Sequence, residues 1–305
     1  MVMHEDKRVL ALAALIAGIV SISWSPMFVR WTDMPGVASG FYRVAIASGA
    51  LWIILFMQRG GRLSIPLRLI PLAVLGGVFF AGDLGLYNVA VLHTTAASAT
   101  FLGSNAPLIV GLLTWFMTRK LPSSRFWLAL VIAALGAWFI VSMDWEHKRS
   151  ASSADLLACG ASVCFALYLL VTERLRMSID TATIVVLSTT TSAIALLVFA
   201  LCFHISLGIP NSHSLFAIAG SGFVCQLAGY YCLTYALGHL PATVSSVVLL
   251  SVAPLTALLA FFLFGEAMGG LQLLGGGLIL AAVWIVTRQT QGSPRQVRAG
   301  GMANQ

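Results

Sequence analysis

The sequence predicts an all-α membrane protein with ten transmembrane helices arranged as two inverted five-helix repeats. Three observations predict it. Of 305 residues, 59% are hydrophobic and only 9% charged. That is about a third of the charge a soluble domain carries, too little to cover a water-facing surface. Apolar stretches of about 20 residues, the length that crosses a bilayer, recur along the chain. Basic residues cluster at alternate ends of these stretches, and the phase of the clusters changes between the two halves. The mean hydropathy of +0.94 agrees with the first observation. A soluble enzyme, a disordered chain and a nucleic-acid binder are excluded on composition. The net charge of +7 then reads as an orienting signal for a membrane protein, not as a nucleic-acid surface.

The spans follow in order. The first, 9–30, comes after a charged start and runs through Trp24 and Pro26 to Arg30. It is longer than the apolar core of a signal peptide and is read as a retained helix. The second, 36–57, closes at the turn Arg59-Gly60-Gly61-Arg62. The third, 67–91, carries Asp83 between Gly82 and Gly85, and the fourth, 95–118, carries Pro107. Leu121-Pro122-Ser123-Ser124 separates it from the fifth, 124–142. The longest polar stretch, Asp144 to Asp155, falls at the midpoint of the chain. Residues 1–143 are therefore read as a first repeat, 144–152 as a linker and 153–288 as a second repeat. The second repeat holds spans 153–173, 181–204, 213–236, 242–264 and 269–287, with Gly208-Ile209-Pro210-Asn211 as a break. Residues 289–305 are polar and predicted to be a disordered cytoplasmic tail. Lipid offers the backbone no partner, so helices are expected. Continuous apolar runs such as Val244–Leu250 and Ala257–Phe264 lack the alternation of a barrel strand.

Ten spans put both termini on one side. With that side cytoplasmic, thirteen of the 17 basic residues face it: Lys7, Arg8, Arg59, Arg62, Arg68, Arg119, Lys120, Arg125, Arg174, Arg176, Arg288, Arg295 and Arg298. Arg30, Lys148 and Arg149 lie outside, and Arg43 is within the second span. Basic clusters follow the second and fourth spans of the first half but the first and fifth of the second. Five helices per half means that the second half enters the membrane upside down, as in many secondary transporters. Residues support the duplication. His93-Thr94-Thr95-Ala96-Ala97-Ser98 precedes Pro107 much as His239-Leu240-Pro241-Ala242-Thr243-Val244 precedes Pro254. Both stretches open a span with Ala-Pro inside it, and Arg119 and Glu266 fall at matching distances beyond the two prolines. Chance similarity between apolar helices of biased composition is the competing explanation.

Trp24-Ser25-Pro26 in the first span, Phe41-Tyr42-Arg43 early in the second, Ala-Pro in the fourth and ninth, and Gly265-Glu266 closing the ninth carry a family likeness. Over about residues 9–288 the chain resembles the drug/metabolite transporter superfamily, in particular its EamA-type ten-helix members. The resemblance implies two five-helix halves around a central cavity, alternating access, and cargo among amino acids, other metabolites and drugs, often moved outward. It also implies a cell-membrane location, here a bacterial inner membrane. One departure is visible: relatives often close the fourth span with Gly-Glu, whereas this chain has Thr118-Arg119.

Few polar residues lie deep enough to act on a solute. Asp83 stands near the middle of its span, where a carboxylate faces a cavity, pairs with a cation or carries a proton. Tyr87 is one turn later on the same face. Arg43 is the partner to test for Asp83, although its long side chain can also reach the interface. Asn105 precedes Pro107, and Pro26, Pro107 and Pro254 are candidate kinks that free carbonyls for a ligand. Trp24, Tyr168, Gln226 and Tyr231 complete the substrate-binding candidates, because polar-tipped aromatics suit amphipathic solutes. On α-helical spacing, Gln226 pairs with Tyr230 and Tyr231 with Tyr235. For each, helix packing or an interfacial belt is the competing structural role. Cys159, Cys164, Cys202, Cys225 and Cys232 show no metal spacing and suit packing, so neither metal nor cofactor is expected.

A secondary transporter of a small organic solute is the leading functional expectation, with the bilayer as environment, protons as a candidate coupling partner and no nucleic acid. No phosphate-binding loop is present to couple ATP. A non-transporting sensor or scaffold needs neither inverted halves nor a midplane carboxylate. An intramembrane aspartyl enzyme needs a second buried Asp beside Asp83, and Asp144, Asp155 and Asp180 sit at span ends or in loops.

Overall fold

The computed structural model describes residues 2–61, 65–94, 96–103, 105–119, 121–146, 153–266 and 269–292. Apart from turns and connecting segments, the described residues are helical. Helices α1 (Val2–Ser23) and α2 (Ser25–Trp31) form one span interrupted at Trp24. Pro26 is the second residue of α2, where its missing N–H costs no helical bond. Helix α3 (Gly36–Arg59) stops at Gly60, whose φ of 58° is the left-handed cap that a glycine adopts without strain. Then come α4 (Ile70–His93), α5 (Ala96–Gly103), α6 (Ala106–Thr118) and α7 (Ser124–Glu146). The second half holds α8 (Ser153–Leu175), α9 (Thr181–Cys202), α10 (Ser212–Gly220), a π-helical segment (Ser221–Tyr230), α11 (Tyr231–Leu237), α12 (Ala242–Leu249), α13 (Val252–Phe264) and α14 (Gly270–Gly292).

Among the described residues, eight helical stretches are long and apolar enough to cross a membrane. The chain is therefore a multi-pass membrane protein. The sequence predicts ten spans; the fourth and fifth appear as shorter apolar helices, Ala106–Thr118 and Ser124–Gly136. The first residues of the expected linker are helical. Asp144 to Glu146 continue α7, while 147–152 lie outside the described residues. Likewise α14 runs to Gly292, and 293–305 of the expected tail lie outside them.

Two spans are broken in the same way. Helices α5 and α12 have 8 residues each, and α6 and α13 have 13 each. Every second-half piece starts 146 residues after its counterpart, Ala242 after Ala96 and Val252 after Ala106. Arg119 and Gly265, at the same offset, both cap in the left-handed region, with φ of 55° and 63°. The prolines are one residue out of this register. Pro107 is second in α6, but Pro254 is third in α13. One residue turns a side chain by about 100° around a helix axis. Pro107 accordingly faces the interior cavity, whereas Pro254 abuts Gly276 of α14. Of the two prolines expected to line one cavity, Pro107 is among its lining residues and Pro254 is not.

Helix α4 packs on α8 and α9, and the π segment with α11 packs on α1; α3 lies against α9, and α7 against α14. The broken helices cross, α5 against α13 and α6 against α12. Close approach relies on small residues. A β-carbon on Gly77 would lie 2.5 Å from that of Thr191, and one on Gly136 would lie 2.5 Å from the Gly275 carbonyl oxygen. The buried interior is continuous through Phe80, Leu84, Tyr168, Leu169, Tyr230 and Leu233.

Candidate functional site

The breaks in the helices meet at an interior cleft with about 620 Å³ of empty space, part of it at an open mouth. Three lining pairs stand at the 146-residue offset: Thr100 with Ser246, Gly103 with Leu249, and Ala106 with Val252. The wall is otherwise apolar and aromatic, with Ile22, Leu84, Phe165, Tyr230 and Pro107. Its polar groups are Ser25, Arg43, Asp83, Tyr87, Thr100 and Ser246. Few convergent polar groups in a largely apolar cleft are the usual make-up of a small-molecule site.

Asp83 and Tyr87 share one face of α4 and both line the cleft. The Tyr87 hydroxyl is 2.8 Å from Thr100 Oγ1, which ties α4 to the broken helix α5. Asp83 is 8% exposed and takes part in no hydrogen bond or ion pair among the described residues. Such a group in a membrane interior needs a ligand, a proton or water to satisfy it.

Arg43 is 2% exposed. Its Nη1 donates to Ser25 Oγ at 2.5 Å and its Nε to Gln226 Oε1 at 3.1 Å. The guanidinium lies 5.4 Å from the ring centre of Tyr230. Nη2 is buried without a hydrogen-bond partner. Arg43 and Asp83 thus line one cleft without joining as an ion pair.

Asn105 stands at the fourth-span break and works within it. Its Nδ2 donates to the Leu102 carbonyl at 3.0 Å, and its own carbonyl accepts from Leu108 N–H at 3.2 Å. The first-span break is served from across the bundle, where Thr256 Oγ1 of α13 donates to the Ser23 carbonyl at 3.2 Å. Tyr168 and Gln226, each 1% exposed, sit behind the wall. Tyr168 stacks on Phe80 at 4.7 Å and supports Tyr230, while Gln226 holds Arg43. Trp24, at the first break, packs with Phe28. Tyr231 is 38% exposed and is not among the cleft residues. Gln226 and Tyr230, paired on helical spacing, both reach Arg43 from the π-helical segment Ser221–Tyr230, one through a hydrogen bond and the other through its ring. Thr100, Ser246 and Phe165 also line the cleft without being singled out in the sequence; the 146-residue offset is the signal that finds the first two.

A second polar cluster closes one end of the bundle. Arg30 Nη1 lies 2.5 Å from Glu266 Oε1, and Nη2 donates to the Thr94 carbonyl at 3.1 Å. The same guanidinium lies 5.2 Å from the ring centre of Phe264, which packs with Trp31. This pair joins the ends of α2, α4 and α13. Glu266, which closes the ninth span in sequence, is thus an ion-pair partner and not a cleft residue. Among the described residues, no group of three or more His, Cys, Asp or Glu gathers for a metal.

The comparisons with known proteins agree with this architecture. The model of the EamA-like transporter family matches residues 9–142 and again 152–288. The chain is 28% identical over 259 residues to the uncharacterized transporter YwfM of Bacillus subtilis strain 168, covering 82% of this chain and 84% of that one. It is 27% identical over 247 residues to the threonine/homoserine exporter RhtA of Escherichia coli K12, with 80% of each chain covered. It is 26% identical over 288 residues to the pseudopaline exporter CntI of Pseudomonas aeruginosa strain UCBPP-PA14, covering 91% and 96%. A solved crystal structure superposes with a TM-score of 0.74 over 94% of this chain and 100% of its own, at 17% identity, so the fold is shared. This chain belongs to the EamA-like transporter family.

Proposed function

We propose that this EamA-like family member is a secondary transporter that exports small organic metabolites, with amino acids and drugs as the cargo classes, by alternating access through the cleft around Asp83. One observation carries the reading: a carboxyl group without a hydrogen-bond or salt-bridge partner among the described residues faces an interior cleft at which two broken helices meet. A purely structural carboxylate at such depth is neutralised by a cation, because leaving it bare is costly. Discontinuous helices around a central solute site are a recurring transporter device. The sensor alternative gives no reason for this cleft.

The ten-helix, inverted-repeat reading belongs to the same proposal. It is supported by the double family match, the constant 146-residue offset and the reciprocal packing of α4 on α8 and of the π segment on α1. The basic-residue count supports cytoplasmic termini, and the bacterial relatives support an inner-membrane location. Two relatives carry export in their names, which supports the outward direction. Protons are the candidate coupling ion, with Asp83 as their acceptor.

The test is solute flux in proteoliposomes holding the full chain, with amino acids and cationic drugs offered with and without a pH gradient. Flux of at least one class that disappears in Asp83→Asn, in protein that still unfolds cooperatively on heating, is the expected result. Equal flux through wild type and Asp83→Asn would overturn the role of Asp83. No flux across the whole panel would overturn transport itself.

A further inference from the structure

The cleft holds an arginine with an open donor as well as a carboxyl group without a hydrogen-bond or salt-bridge partner among the described residues. Arg43 spends two of its nitrogens on Ser25 and Gln226, which fix the guanidinium plane, and leaves Nη2 buried and open. A buried unpaired donor on a charged group is costly. The Tyr230 ring lies against the guanidinium, but among the described residues no acceptor reaches Nη2, although Asp83 lines the same cleft.

The starts of two helices reinforce the positive side. Helices α6 and α13, 13 residues each, both begin at the cleft, with Ala106 and Pro107 from one and Val252 from the other. Neither N-cap residue, Asn105 or Ser251, caps its helix through its side chain. Helix N-termini favour negative charge. The Ser25 hydroxyl, already accepting from Arg43, has its own proton left to donate.

We propose that Arg43, backed by Ser25 and the N-terminus of α6, is a carboxylate-reading subsite in the cleft that Asp83 also lines. The cargo is then a small zwitterion, its carboxylate on Arg43 and its ammonium on Asp83. This deepens the transport reading and rests on it. Ile22, Leu84, Phe165 and Val252 line the same cleft, so the remaining part of the cargo is apolar or weakly polar. A cation without a carboxylate leaves Nη2 unsatisfied and is a poorer cargo.

The experiment is a flux and competition panel on the reconstituted full chain. The twenty amino acids are offered first, beside a set of cationic drugs. The best amino acid is then compared with its methyl ester and its decarboxylated amine. Wild type is expected to prefer the amino acid over both by about tenfold or more in KM. Arg43→Gln is expected to raise the KM of the amino acid about tenfold and that of the ester less than twofold, and Arg43→Lys to recover part of the loss. The wild-type comparison decides even where Arg43→Gln fails to fold. Cation flux without amino-acid flux, or an ester carried as well as its acid, overturns the subsite and leaves transport standing. An equal loss of acid and ester flux in Arg43→Gln makes Arg43 a structural residue and also overturns it. No flux of any solute overturns the transport reading beneath it.

Discussion

At two places among the described residues an arginine and a carboxylate come near each other and are treated in opposite ways. At the bundle end, Arg30 and Glu266 close into an ion pair whose side chains keep 20% and 25% exposure. In the cleft, Arg43 is held by Ser25 and Gln226, and Asp83 makes no salt bridge or hydrogen bond among the described residues. The difference follows from what each charge can gain. At the end of the bundle, water softens the cost of both charges and the pair tethers three elements. In the interior an ion pair would be strong but self-satisfied, and a solute would have to break it. Holding the guanidinium with a neutral hydroxyl and a neutral amide keeps both charges available.

The largest expected effect breaks the interior member of this comparison. Asp83→Asn is expected to cut flux by about a hundredfold or more, since each lost charged contact in such a site is worth a few kcal/mol. Its unfolding temperature in detergent is expected to stay within a few degrees of wild type, because no described residue loses a hydrogen bond. The next variant leaves both cleft charges in place and removes the restraint. Gln226→Leu frees Arg43 Nε, and flux is expected to fall about tenfold; unchanged flux would show that the amide does not hold the arginine for function. Third comes the bundle end. Arg30→Glu and Glu266→Arg are each expected to lower flux several-fold, and the double exchange to restore most of it, as measured by a double-mutant cycle. The smallest effect concerns an arginine in neither place. Arg119 caps α6 with a φ of 55°, a conformation that costs a non-glycine residue about 1 kcal/mol. Arg119→Gly is expected to raise thermal stability slightly and leave flux unchanged.

The interior pair was legible from the sequence as residues but not as an arrangement. Asp83 and Arg43 stand out because few charges lie inside apolar stretches. Whether they meet depends on Ser25 and Gln226, which come from other spans and which the sequence does not connect to Arg43. Hydropathy finds a span but not a break within it. Leu250 is as apolar as its neighbours, yet α12 stops beside it. Pro107 and Pro254 mark the right region, but the breaks keep the 146-residue register that the prolines do not. Tyr231 illustrates a different limit. Counting by α-helical turns presumes α-helical winding, and the ten π-helical residues before it alter which way every later side chain points. Thr100, Ser246 and Phe165 lie on helices apolar on every face, where periodicity cannot say which side looks inward.

That π-helical stretch has a mechanical meaning. The residues of Ser221–Tyr230 can satisfy the same backbone donors and acceptors in a wide winding or, one residue nearer, in a narrow one. Passing between them rotates the segment about its axis and shortens or lengthens it without orphaning a polar group. Gln226 and Tyr230, the two side chains that brace Arg43 from this side, ride on that segment. A change of winding in that segment would therefore turn the brace of the arginine while keeping the backbone hydrogen-bonded, as a bilayer requires.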